Sequence, residues 1–223
     1  MVDNAGLAVW IAIWVLGWGV AAEFVPHCLP ASSKEHENAP NWVAQCTLAF
    51  LRSVFVAVGA LVAGHHERIL DHCGFSFFAF EIVDLVIGSV FKLHTVDMLL
   101  HHTVHIAAGG LIWFNGLYTL ARPMMTQEMS SIFLNMWMLG RHRGPPGKSD
   151  WLFVCFALAF AIFRLGIGSM ACLDFYRGGT HPTLGYLVLG GAGFQWYWGY
   201  TISLKVYQQI TAGAEDHKQG RKD

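Results

Sequence analysis

Residues 94–114 read HTVDMLLHHTVHIAAGGLIWF, an apolar stretch that carries four histidines and an aspartate. Asp97, His101 and His105 recur every four residues and share one helical face, while His102 lies about 100° round from His101. A histidine in such a setting can act as a general base or a nucleophile. A carboxylate on its second nitrogen would set the tautomer and stabilise the cation. A metal is the competing use, because His101 and His105 have the spacing that lets two rings reach one ion. The other adjacent pair, His65 and His66, ends a different apolar stretch at the opposite side. Shared di-iron chemistry is therefore not expected, and no metal site is assigned.

Other polar groups interrupt neighbouring apolar stretches: Arg52, Glu81, Asp84, Glu128, Asn135 and Arg164. Ionisable groups within a membrane span are costly, and each marks either a site or a pairing that holds the bundle together. At 1.5 Å per residue, the histidines, Asp84, Asn135, Arg52, Glu128 and Arg164 fall between about 8 and 20 Å from the same membrane face. Matched depth predicts one cavity opening toward that face. Glu128, Ser131 and Asn135 share a helical face, as the histidines do. A charge lattice pairing Arg52 and Arg164 with Glu81 and Glu128 is the structural alternative.

Positioning those groups falls to membrane helices. Of the 223 residues 54% are apolar and 13% charged, against about 25% charged in soluble domains. Several near-uncharged runs approach the roughly 20 residues needed to cross a bilayer. Seven spans are predicted, at about 7–25, 43–65, 75–92, 96–115, 120–140, 151–173 and 183–207. Residues 1–41 form an N-terminal span and polar loop, 42–208 the main membrane domain, and 209–223 a polar, mobile tail. Asp3 stands where a signal peptide carries positive charge, so the first span is read as retained. A net charge of -1 without a basic stripe speaks against nucleic acid. Five scattered cysteines without a C-x-x-C spacing predict isolated buried thiols. Trp10, Trp14 and Trp18 form a stripe expected to face lipid or a packing partner. Trp42, Trp151 and Tyr207 stand at span ends as interfacial anchors.

Loop charge sets the expected orientation. Arg68, Arg122 and Arg177 lie on one side; Lys34, Lys92, Arg141, Arg143, Lys148, Lys205, Lys218, Arg221 and Lys222 lie on the other. The positive-inside rule then puts the C-terminus in the cytosol and the N-terminus in the lumen.

The runs FAFEIVDLV, DMLLHHTVH, TQEMSSIFLNMWML, FAIFRLGIG and FQWYWGYTI follow one another in an order that resembles the TLC-domain family. That family includes the ceramide synthases and several smaller lipid-linked membrane proteins. The resemblance spans roughly residues 42–208 and rests chiefly on the His101–His102 pair and on the run around Glu128 and Asn135. It implies a barrel-like bundle of six helices with an extra N-terminal helix, enclosing a cavity for a lipid chain. In the synthases the paired histidines are central to transfer of an acyl group from acyl-CoA to an amine, and His101 and His102 match that pair. Where synthases carry paired aspartates, this chain has Gln127, Glu128, Ser130, Ser131 and Asn135, which resembles the smaller non-synthase branch.

The expectation is an all-α multi-pass membrane protein that binds a lipid or fatty-acyl chain and acts on membrane lipid composition. It carries histidine-dependent acyl transfer as the enzymatic reading. His101, His102, Asp84 and Glu128 are the catalytic candidates; Arg52, Asp97, His105, Asn135, Arg164 and Trp196 are the ligand contacts. Acyl-CoA is the co-substrate that the resemblance implies. Membrane lipids are the expected partners, with a homo-oligomer or a larger membrane complex as the assembly. The compartment expected is the endoplasmic reticulum or another internal membrane; the absence of an Arg-rich presequence speaks against mitochondrial import by that route and leaves the mitochondrial inner membrane as an alternative. The alternative is a non-catalytic lipid-binding subunit of a membrane complex.

Overall fold

A computed structural model describes residues 4–28, 39–63, 66–115, 117–143, 150–179 and 181–219. Lys34, His65, Lys148 and the two C-terminal charges Arg221 and Lys222 lie outside the described residues, as does most of the loop after the first span. Every element among the described residues is helical: α1 (Asn4–Cys28), α2 (Ala39–Val62), α3 (Glu67–Val90), α4 (Val96–Phe114), α5 (Tyr118–Met125), α6 (Glu128–Arg143), α7 (Asp150–Ala159), a π-helical segment (Phe160–Gly168), α8 (Ser169–Gly178) and α9 (Pro182–Gln219).

The described helices form the seven legs, or passes, of one bundle. The fifth pass is α5 followed by α6, and the sixth is α7, the π segment and α8 in continuous sequence. Neighbours around the bundle run α2, α3, α4, α9, the sixth pass, α6 and back to α2, so six passes close a ring. α1 stands outside it, against α2 and α3. The all-helical fold expected from the sequence is observed among the described residues, and four of the seven expected spans have the length and apolarity to cross a membrane.

Four stretches are long and apolar enough to cross a membrane: Asn4–Pro26, Pro40–Val62, Glu67–Val90 and Trp151–Gly178. Histidines and Asp97 reduce the apolarity of α4, a break divides α5 from α6, and glycines and aromatic rings thin out the aliphatic content of α9. Those three passes complete the same ring. The third helix starts at Glu67, eight residues before the predicted boundary of 75. Helix α9 runs on to Gln219, through residues read from sequence as tail.

Helices that are apolar all round gain little from hydrophobic sorting in lipid, so close packing and polar contacts must select partners. α1 illustrates the sorting. Val9, Ile13, Leu16, Val20 and Phe24 face outward, while Trp14, Trp18 and Ala21 are buried against α2 and α3. Trp14 Nε1 donates to the Ser76 carbonyl (3.0 Å), and Trp18 Nε1 donates to Asn41 Oδ1 (3.4 Å). The tryptophan stripe is therefore a packing surface. Between α2 and α3, Gly59 lets the backbones approach so closely that a Cβ there would lie 2.3 Å from Cys73 Sγ. Trp151 and Tyr207 are exposed, as anchors at a membrane interface would be.

Candidate functional site

The break between α5 and α6 builds the centre of the site. Pro123 removes a backbone donor inside α5, and the chain turns at Thr126 and Gln127, where Thr126 Oγ1 donates to the Pro123 carbonyl (2.6 Å). α6 then begins in the interior with Glu128 in its first turn. A carboxylate at a helix N-terminus meets unpaired N–H groups and the positive end of the helix dipole.

Glu128 gathers two arginines. Arg52 Nη1 lies 3.0 Å from Glu128 Oε2 and 3.6 Å from Glu81 Oε1, and Arg164 Nη2 lies 3.5 Å from Glu128 Oε1. Ser53 Oγ donates to Glu128 Oε2 (3.0 Å). The Arg52 guanidinium also sits over the rings of Phe77 and Phe80, at 5.0 and 4.9 Å from their centroids. Such cation–π contacts favour a desolvated cation.

Arg164 reaches this centre from the π-helical segment. A π segment inserts an extra residue per turn and re-aims the side chains it carries, which is why such turns concentrate at functional sites. Each of its three guanidinium nitrogens donates a hydrogen bond: Nε to Ser130 Oγ (2.7 Å), Nη2 to Ser131 Oγ (2.7 Å) and Nη1 to Gln195 Oε1 (3.0 Å). The segment ends at Gly168, where a Cβ would lie 2.5 Å from the Gln127 side chain. Glycine there lets the α5–α6 junction nest against the π segment.

The histidines continue the network toward the other end of α3. His102 is buried between two acids, with Nδ1 2.5 Å from Glu81 Oε2 and Nε2 3.0 Å from Asp84 Oδ2. Gln45 Nε2 donates to the other Asp84 oxygen (2.9 Å). A ring with a carboxylate at each nitrogen satisfies both by carrying two protons. In that form His102 balances the third carboxylate, since Glu81, Asp84 and Glu128 face only two guanidinium groups. It also leaves His102 without a lone pair for nucleophilic attack. His101 and His105 are placed differently. Their ring centroids are 3.8 Å apart, and His101 packs 4.7 Å from Trp198. Among the described residues the His101 ring makes no hydrogen bond, and His105 Nδ1 is buried without a partner, 3.8 Å from Glu81 Oε2.

A cavity opens beside this cluster, with about 120 Å³ available to the centres of water-sized molecules. Its polar end is formed by His105, Glu128, Arg164, Gln127, Gln195 and Ser169. Its apolar body is lined by Phe77, Phe78, Val104, Ile112, Met124 and Val188, among others. These come from the first half of α3, the middle and second half of α4, α5 and the first half of α9. The apolar body therefore extends from the polar cluster toward the face of the bundle that carries Arg68, Arg122 and Arg177. The matched-depth argument predicted an opening toward the opposite, lysine-rich face. Depth located the polar end, but the length of the cavity follows the small residues Gly74, Ala108, Gly109, Gly191 and Ala192 that line it.

The structure thus brings Arg52, Glu128, Arg164, His102, Asp84 and His105 into one buried network. Of the candidates, His105, Glu128 and Arg164 line the cavity, while Asp97, Asn135 and Trp196 stand apart from both the cavity and the network. Asp97 accepts from Trp198 Nε1 (3.3 Å), and Asn135 donates to the Ser131 carbonyl of its own helix (2.7 Å). Trp196 is 57% exposed on the outer surface, with Nε1 donating to Ser169 Oγ (3.1 Å). Gln45, Ser53 and Gln195 belong to the network although their residue types carry no charge to flag them. His94 was read as part of a connection, yet its ring lies 5.0 Å from that of His102. Glu81, expected as a lattice partner, is the carboxylate shared by Arg52, His102 and His105.

A family model described as TLC domain matches residues 8–204, which takes in α1 as well as the six passes of the ring. No curated protein and no solved structure matches the chain.

Proposed function

Because the chain belongs to the TLC-domain family, a family of membrane proteins related to lipid metabolism, we propose that it binds a lipid acyl chain in the cavity between α3, α4, α5 and α9. It would act on membrane lipid composition from that site. The observation that carries this reading is the cavity's polarity: an apolar body ending on His105, Glu128, Arg164 and Gln195. A slender hydrocarbon fits the body, and a carbonyl, hydroxyl or amide head suits the polar end. The Arg164 charge is already met by Glu128 at 3.5 Å, so a neutral polar head is favoured over a free carboxylate. Mass spectrometry of lipid retained by the purified protein tests this. A retained acyl lipid supports the reading, and a lipid-free cavity in protein extracted under mild conditions overturns it.

Acyl transfer is the second reading, favoured by the open nitrogens of His101 and His105. An imidazole lone pair attacks the thioester carbonyl of acyl-CoA, the thiolate leaves, and the acyl group then passes to an acceptor. Here His102, held by Glu81 and Asp84, positions the helix while His101 or His105 carries the acyl group. Comparing lipid acyl profiles of cells bearing His101→Ala with those bearing the parent chain decides between the readings. A changed profile at equal protein abundance supports transfer; an unchanged one leaves a non-catalytic lipid-binding subunit. The loop charge bias supports a cytosolic C-terminus in an internal membrane such as the endoplasmic reticulum.

A further inference from the structure

We propose that Asp84, His94 and His102 form a binding site for one divalent first-row metal ion, zinc above all, at the α3–α4 connection. One ring nitrogen of each histidine and one carboxylate oxygen lie within 4.8 Å of one another. Asp84 Oδ2 is 3.0 Å from His102 Nε2 and 3.9 Å from His94 Nε2. Tetrahedral bonds of about 2.0 Å place ligand atoms about 3.3 Å apart, so these two spacings bracket the required value.

The chain spends conformational freedom to bring His94 there. Lys92 adopts φ 55°, a left-handed conformation unfavourable for a residue with a side chain. It folds the connection back over the end of α3, and the His94 ring lies where a side chain on Gly88 would be. A Cβ at Gly88 would come 2.2 Å from His94 Nε2. The ring is buried to 1% side-chain exposure. Its Nε2, the nitrogen 3.9 Å from Asp84 Oδ2, also lies 2.8 Å from the Asp84 carbonyl oxygen, so an ion bound there takes the Nε2 lone pair in place of that hydrogen bond and leaves the ring proton on Nδ1.

The surrounding groups have the arrangement of outer partners to a metal. His102 Nδ1 faces Glu81 Oε2 (2.5 Å), the carboxylate–histidine pairing that orients a ligating ring. Gln45 Nε2 holds the second Asp84 oxygen at 2.9 Å, leaving Oδ2 for the ion. Binding replaces the proton between His102 Nε2 and Asp84 Oδ2, so that His102 becomes a neutral ligand and a proton is released. A set of two imidazoles and one carboxylate, without thiolate, suits zinc or iron(II). The site lies at the connection end of α3 and α4, where it takes in the Asp84–His102 edge of the polar network, and none of its three residues lines the apolar cavity.

The test uses the full-length chain in detergent micelles, stripped with chelator and titrated with zinc, with bound metal counted by mass spectrometry. One zinc per chain is expected, and His94→Ala should weaken binding by about 100-fold or more. Gln45→Leu, which removes only an outer partner, should weaken it by about 10-fold. The X-ray absorption spectrum of zinc bound to the parent chain should show nitrogen and oxygen ligands at about 2.0 Å and no sulfur. That measurement needs no variant to fold. A folded parent chain that takes up no zinc, or a His94→Ala chain that binds as tightly as the parent, overturns the site.

Discussion

Glu128 is the residue on which two arginines depend. Arg52 and Arg164 both approach it within 3.5 Å, and all three side chains are buried. Removing one member of a buried charge group leaves its partners uncompensated, which costs about 3–5 kcal/mol. Glu128→Gln should therefore lower thermal stability sharply in a detergent unfolding assay. Trp196→Phe should leave it nearly unchanged, because that ring is exposed and its one hydrogen bond lies on the outer surface. The histidines should separate in the same assay. His102→Ala strips both Glu81 and Asp84 of their bridge and should destabilise the fold, whereas His101→Ala removes a ring with no hydrogen bonds among the described residues and should be tolerated.

At the scale of elements, two irregularities in otherwise plain helices create the site. The α5–α6 break gives Glu128 an interior helix N-terminus, and the π segment turns Arg164 toward it. Gly168 is the joint between them, since any Cβ there would meet Gln127 at 2.5 Å. Gly168→Val should push the π segment off the α5–α6 junction and disturb the bonds of Arg164 to Ser130 and Ser131. Loss of monodisperse protein on gel filtration, or a fall in unfolding temperature of several degrees, is the expected result. A Gly168→Val protein as stable as the parent would show that the junction tolerates separation. Gly190 provides a control, because nothing lies within 4 Å of a Cβ placed there.

At the scale of the whole molecule, the ring of six passes leaves a cavity because small residues line its wall. Gly191 faces it, and a Cβ at that position would meet nothing nearer than Val104 at 3.9 Å. Gly191→Leu should fill the cavity without straining the bundle. Lipid retained on purification, measured by mass spectrometry, should fall by about tenfold, a loss of roughly 1.4 kcal/mol in binding, while the unfolding temperature holds or rises. Retention equal to that of the parent chain would mean that the lipid lies elsewhere.

By itself the sequence determined the class of the molecule and the cast of polar residues. Apolar runs of membrane length have one stable outcome, because each helix satisfies its own backbone hydrogen bonds in lipid. Buried charge is rare enough there that Arg52, Asp84, Glu128 and Arg164 announced themselves, as the paired histidines did. Helical spacing also foretold that Glu128 and Ser131 share a face, and Arg164 bridges both. What only the tertiary structure decided was which group meets which. Glu81 and Asp84 lie three residues apart on α3, and no pattern in one chain reveals that His102 of another helix occupies both. Gln45 and Gln195 carry no charge, so their roles appear only once their partners are opposite them. The cavity's direction and the inward fold of His94 likewise depend on where glycine lets one surface approach another. Composition reports the cost of burying a polar group; only the packed bundle shows the contact that offsets it.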